Sequence, residues 1–321
     1  MRGRMIDDER WMGAALALAT RGVGQTAPNP SVGCVIVRGD RVVGRGWTQP
    51  GGRPHAEAVA LGQAGDAARE GTGFVTLEPC AHASPRGPDC SGRLIAAGVA
   101  RVVVAGLDPD PRTAGQGLAR LRDAGIAVAS GVREAEARAL NAGFFSRMAR
   151  GRPYVTLKLA LSLDGRVAMA DGTSRWITSA AARAHAHMER ARADLIVVGR
   201  GTIDADAPTL NVRLPGLGDR SPRIAVLSRT LTGAMRDFAE VDAMPDVLTV
   251  LVEGGAGVAA SLLAADRVDR LLIYRAPIVI GRGIGLGDVG LGELGAAHGR
   301  WQRTALRPLG PDALEEYART R

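Results

Sequence analysis

Lysine is almost missing from this chain. Of 41 basic residues among 321, Lys158 is the single lysine, and every other basic side chain is arginine. A codon-biased genome would produce such a ratio, yet it leaves Lys158 as a candidate position where a compact ammonium is needed and a planar guanidinium is not tolerated. Aromatic residues are also scarce, at 3%, which argues against single-strand nucleic-acid binding, where bases need stacking platforms. The net charge of +8 invites that reading, but the arginines are scattered among acids, and small phosphorylated substrates would explain the same excess. No stretch approaches the roughly 20 apolar residues of a membrane span. Asp7, Asp8 and Glu9 follow the basic start before any apolar run, which argues against a signal peptide. Three cysteines cannot pair completely. The expected setting is therefore the cytoplasm, with neither nucleic acid nor membrane as partner.

The length suits two domains. In the first half, Val32 to Val37 and Val42 to Gly44 flank the turn signal Arg38-Gly39-Asp40, predicting a hairpin. Pro54 precedes a predicted helix from His55 to about Ala64, since proline is favoured at a helix start. Strands at 74–77, 102–105 and 126–129 alternate with helices at 91–97 and 117–123, an α/β sandwich. Composition turns polar around Arg147 to Pro153 before a new strand at Tyr154 to Leu159, which sets a domain boundary there, with domains at 1–148 and 149–321. The second half alternates again, with helices at 180–192 and 258–264 and strands at 195–198, 224–227, 248–252 and 271–274.

The motif that carries chemistry is His55-Ala56-Glu57, then Pro79-Cys80, then Cys90. One imidazole and two thiolates are zinc ligands, and three protein ligands leave a fourth position open for water, the mark of a catalytic centre. Glu57 is then free to move protons. Helix N-termini at His55 and Cys90 would favour thiolate over thiol. Zinc deaminases carry H-x-E followed by P-C-x-x-C, and the second cysteine here lies much further on. Taken singly, each of these residues reads equally as a buried cysteine or an ordinary polar contact; the assembled set does not. Cys34, in an apolar strand, reads as core. His82 and Arg86, between the cysteines, are candidates for substrate contact. Glu253 followed by Gly254-Gly255-Ala256-Gly257 and an apolar helix leaves bare backbone N–H groups facing an anion. A tight connection is the plainer reading of the same glycines.

Asn29-Pro30-Ser31-Val32-Gly33, His55-Ala56-Glu57, Thr76 to His82, Asp108-Pro109-Asp110-Pro111 and Tyr154 to Gly165 together resemble the bifunctional deaminase-reductases of riboflavin biosynthesis, over nearly the whole chain. A wide gap between the cysteines belongs to that family, and here it is one residue longer than usual. The resemblance implies a cytidine-deaminase-like α/β/α sandwich followed by a dihydrofolate-reductase-like α/β domain. It implies zinc ligation by His55, Cys80 and Cys90, proton transfer by Glu57, and a pyrimidine pocket holding Asn29 and His82.

In the second domain the resemblance implies NADPH contacts at Ala160, Trp176, Thr202, Asp206, Ser228, Gly255, Ala256 and Gly257. It places Ser174, Arg190, Leu210, Arg213 and Glu253 on substrate, with Lys158 a candidate for a charge contact and the arginines suited to a ribose phosphate. The implied partner is a small phosphoribosyl pyrimidine, and the implied assembly a homo-oligomer formed through the reductase domain. The chain departs from the family between Ser228 and Glu253, where a longer segment is usual. Two alternatives follow: a deaminase whose shortened second domain only scaffolds, or a nucleic-acid-editing deaminase.

Overall fold

Met12, Ala15, Leu16 and Ala19 recur at helical spacing and are buried, so α1 (Arg2–Ala19) lays one apolar stripe on the first sheet. It packs on β1 (Gly33–Arg38), where a Cβ at Gly33 would lie 1.9 Å from the Ala15 carbonyl oxygen. The computed structural model describes residues 2–82, 87–206, 208–228 and 230–321, without the side chains of residues 2–6, 205 and 206. It divides into two units, Met1–Gly151 and Arg152–Arg321.

In the first unit β1 pairs antiparallel with β2 (Arg41–Trp47) and with β3 (Thr72–Val75), and β4 (Arg101–Val104) and β5 (Ala127–Ser130) continue in parallel. The order is β2-β1-β3-β4-β5. The helices are α2 (Ala56–Ala64), α3 (Cys90–Ala96), α4 (Gln116–Asp123), α5 (Glu134–Leu140) and α6 (Ala142–Arg150). One face is filled by α1 and α5 around Val35, Phe74 and Val103. On the other, α2 lies against β2 so closely that a Cβ at Gly44 would meet the Ala60 oxygen at 2.2 Å, and one at Gly46 the Ala56 oxygen at 2.5 Å. That close approach sets the height of α2, whose N-terminus carries His55 and Glu57.

The second unit has β6 (Tyr154–Leu161), β7 (Ala168–Met169), α7 (Ala180–Ala191), β8 (Leu195–Gly199), α8 (Arg200–Asp206), β9 (Arg223–Leu227), α9 (Ala239–Asp242), β10 (Thr249–Val252), α10 (Ala256–Ala264), β11 (Arg270–Arg275), β12 (Gly283–Ile284), β13 (Trp301–Leu309) and β14 (Asp312–Arg319). Its sheet order is β13-β14-β11-β6-β10-β8-β9. The run from β11 to β9 is parallel and closed at one edge by the β13–β14 hairpin. Every residue of β8 is buried, as a strand covered on both faces requires.

Some expectations shift. His55, expected to open the helix, is instead its extended N-cap residue (φ −70°, ψ 160°), and α2 starts at Ala56 with Pro54 before it. The first unit ends at Gly151 because α6 continues through Arg150. Among the described residues, the short segment between Ser228 and Glu253 holds α9 and β10 as regular structure, and Phe238, Val241 and Val247 from it are buried in the second core.

Candidate active sites

In the first unit His55 caps α2, Glu57 sits in its first turn and Cys90 opens α3. Cys80 follows β3 in a connection held by Glu78. That buried carboxylate (3% exposed) accepts from the backbone N–H groups of Gly115 at 2.9 Å and Leu118 at 3.1 Å, tying the Pro79-Cys80 segment to the start of α4. Asp89 accepts from Gly92 N–H at 2.7 Å and from the Ser91 hydroxyl at 2.9 Å, which fixes the first turn of α3.

His55 Nδ1 lies 3.3 Å from Cys90 Sγ and 3.7 Å from Cys80 Sγ, and the three ligand atoms all fall within 4.8 Å of one another. None of the cysteines is in a disulfide. One nitrogen and two sulfurs converging at that spacing match the donor set and size of a zinc centre. The Cys90 N–H donates to Cys80 Sγ at 3.3 Å. Cys80 is pushed down to about 4, chiefly by the hydrogen bond from the Cys90 thiol, while that same bond and burial push Cys90 up. Burial alone would lower His55, but its hydrogen bond with Cys80 and the Glu57 charge hold it above its ordinary value. Glu57 is 3% exposed, and burial pushes its carboxyl up.

Asn29 donates to the Gly52 carbonyl at 2.8 Å and lies 3.3 Å from His55 Nε2, so it touches the face of the imidazole turned away from the sulfurs. His82 is placed by Thr113, with Nδ1 3.3 Å from the hydroxyl oxygen. Arg86 lies outside the described residues.

A cleft of about 960 Å³ opens in the second unit. Twelve of the residues expected there line it: Lys158, Ala160, Ser174, Trp176, Arg190, Thr202, Leu210, Arg213, Glu253, Gly255, Ala256 and Gly257. Ser228 is not on its wall; it follows β9, and its hydroxyl accepts from Leu231 N–H at 3.0 Å. The Asp206 side chain lies outside the description. At the centre Arg190 grips Glu253 with two bonds, Nε to Oε1 at 2.5 Å and Nη2 to Oε2 at 2.9 Å. Lys158 Nζ stands 3.9 Å from Glu253 Oε2. Burial would raise Glu253, but Arg190 and Lys158 hold it below the ordinary carboxylate range. Arg213 is steered by Thr209 at 2.7 Å and Asn211 at 2.8 Å. Thr202 accepts from Gly255 N–H at 3.2 Å, joining the start of α8 to the glycine turn before α10.

The sequence reading missed His187: it lines the cleft and accepts from Arg213 N–H at 3.3 Å. It also missed Asn141, whose carboxamide pairs with both backbone groups of Ser31 at 2.8 and 3.0 Å and so fixes the Asn29-Pro30-Ser31 segment. Gly281, Gly283 and Gly285 belong to a pinned loop: Asp164 accepts from Gly281 N–H at 2.8 Å, and β12 pairs with β7.

The family model for the cytidine and deoxycytidylate deaminase zinc-binding region matches residues 5–106. That for the RibD C-terminal domain matches 153–245 and 234–314, two overlapping matches that meet at the shortened segment. The first unit is thus a zinc-binding deaminase domain and the second an NADPH-dependent reductase domain. The riboflavin biosynthesis protein RibD of Aquifex aeolicus is 37% identical, covering 88% of this chain and 91% of its own. That of Haemophilus influenzae is 39% identical, with 96% of each chain covered. Among solved structures, Acinetobacter baumannii RibD has 34% identity and a TM-score of 0.89, covering 99% of this chain and 100% of its own. A diaminohydroxyphosphoribosylaminopyrimidine deaminase/5-amino-6-(5-phosphoribosylamino)uracil reductase from Thermotoga maritima has 28% identity and a TM-score of 0.90, with 100% of each chain covered. The chain belongs to the RibD family of bifunctional riboflavin-biosynthesis deaminase-reductases. Its α/β fold and its two cofactors, zinc and NADPH, are those of that family, and the scaffold-only and nucleic-acid-editing readings give way to it.

Proposed function

We propose that the first unit deaminates a diaminohydroxyphosphoribosylaminopyrimidine and that the second reduces the ribosyl group of the resulting aminouracil to its ribityl form. The observation that carries this is a buried, unliganded carboxylate, Glu57, beside a His55/Cys80/Cys90 donor set. Zinc in that set supplies Lewis-acid activation of water. Glu57 takes a proton from the attacking water and returns it to the amino group that leaves the ring as ammonia. Asn29 and His82 border the ring, and the connection tied down by Glu78 keeps Cys80 in place.

In the cleft NADPH supplies a hydride to C1 of the sugar. Ala160, Trp176, Thr202, Asp206 and the turn from Gly255 to Gly257 bind the nucleotide, while Ser228, off the cleft wall, takes no part; the bare N–H groups of that turn suit its phosphates. Arg190, held by Glu253, orders the substrate side with Lys158, Ser174 and Leu210, while Arg213 meets the sugar phosphate. We place the enzyme in the cytoplasm, where its thiol ligands stay reduced. We also expect a homo-oligomer joined through the second unit, where Val279 and Leu294 are 73% and 79% exposed. Zinc-loaded protein should release ammonia from the pyrimidine substrate, stop on chelation and recover with added zinc. Purified protein with no zinc and no ammonia release would overturn the deaminase assignment of these residues.

A further inference from the structure

A second, smaller cavity of about 230 Å³ opens beside the zinc ligands, with His55 and Cys90 on its wall together with Arg53, Pro54, Pro88 and Arg93. Its two arginines come from separate elements, Arg53 from the turn before α2 and Arg93 from α3. Three other arginines of this unit have carboxylate partners: Arg101 holds Asp8 at 2.7 Å, Arg112 holds Asp110, and Arg120 holds Asp89 at 3.1 Å. Arg53 and Arg93 have no hydrogen-bond or ion-pair partner among the described residues, and Arg53 Nε is buried without one. Asp89, in the turn leading into α3, is already taken by Gly92, Ser91 and Arg120.

Two half-buried guanidinium groups facing one small cavity, with no carboxylate between them, are costly unless an anion completes them. Guanidinium forks match the oxygens of a phosphate monoester in pairs. We propose that Arg53 and Arg93 form a phosphate-binding subsite that holds the 5-phosphate of the deaminase substrate while its pyrimidine ring lies at the zinc ligands. The identity of that phosphate rests on the proposed function; the anion site itself does not. Prolines 54 and 88 stiffen the cavity wall, so the pair is placed before the anion arrives. The subsite makes the deaminase selective for phosphorylated over dephosphorylated pyrimidines.

The test uses zinc-loaded full-length protein and the variants Arg53→Gln, Arg93→Gln and the double exchange. Ammonia release is measured on the phosphorylated substrate and on its dephosphorylated counterpart, and ribose 5-phosphate binding is titrated by calorimetry. The ratio of kcat/KM values for the two substrates should fall about 10- to 100-fold in the double variant, the loss expected for charge-assisted hydrogen bonds. The number of ribose 5-phosphate sites should fall by one, with zinc content and NADPH binding retained. An undiminished ratio, an equal loss on both substrates, or an unchanged number of sites overturns the subsite. If unaltered protein releases no ammonia from either substrate, the deaminase reading fails instead, and the titration still decides whether the two arginines bind phosphate.

Discussion

Glu57 shows how much a single side chain depends on where the fold puts it. An exposed glutamate would stay ionised at neutral pH; burial raises the carboxyl of this one against the opposing pull of His55, which fits it to hold a proton between two transfers. Glu57→Gln keeps the shape and the three zinc ligands, so zinc content should be unchanged while ammonia release falls about 100- to 10,000-fold. Retained turnover with normal zinc would remove Glu57 from the reaction. Asp108 carries a pH dependence of its own. Burial, reinforced by the charges of Asp110 and Glu78, pushes it up to about 7. A carboxyl raised on folding contributes full stability below its unfolded value of 3.8 and loses it as pH rises to about 7. Asp108→Asn should therefore flatten the stability profile between those limits and stabilise the protein above them by up to a few kcal/mol. An equal change in unfolding free energy between pH 4 and pH 7.5 for both proteins, from denaturant titrations, would contradict this. At this scale the ligands and Glu57 were legible because their chemistry is carried by residue type and order. Glu78, Asn141 and His187 were not, since their partners lie far off in sequence, as with Asn141 and Ser31, 110 residues apart.

The elements that matter most are those whose packing sets the height of a catalytic side chain. α2 touches β2 backbone to backbone at Gly44 and Gly46, and the helix brings His55 and Glu57 with it. Gly46→Ala would put a Cβ 2.5 Å from the Ala56 oxygen and 2.7 Å from the Val59 Cβ. The helix must move, at about 1–3 kcal/mol. Zinc affinity should drop with it; a thermal scan and a zinc titration check both, and wild-type values in each would show that the contact does not place the site. Alternating strands and helices were readable from apolar runs and their punctuation, and most observed elements fall within a residue or two of those bounds. The β13–β14 hairpin was not read: β13 is exposed along most of its length and alternates little, so its pairing with β14 supplies what its sequence pattern does not. The short connection between β9 and β10 removes regular structure, yet its apolar residues still close the core.

The whole molecule is two units, each with its own sheet, core and site, matched along their lengths by relatives that carry both domains. One chain holds two centres, and the reductase cleft persists despite the shortening between Ser228 and Glu253. Because the two sites share no residue, removing zinc with a chelator should stop ammonia release and leave NADPH binding intact; loss of both together would mean the units depend on one another. The most direct measurement follows zinc-loaded protein given the pyrimidine substrate and NADPH, with ammonia, NADPH oxidation and product recorded together. The expected result is saturable NADPH binding, one NADPH oxidised for each ammonia released, and a ribityl product. Ammonia release with no NADPH binding and a product still carrying its ribosyl group would contradict it.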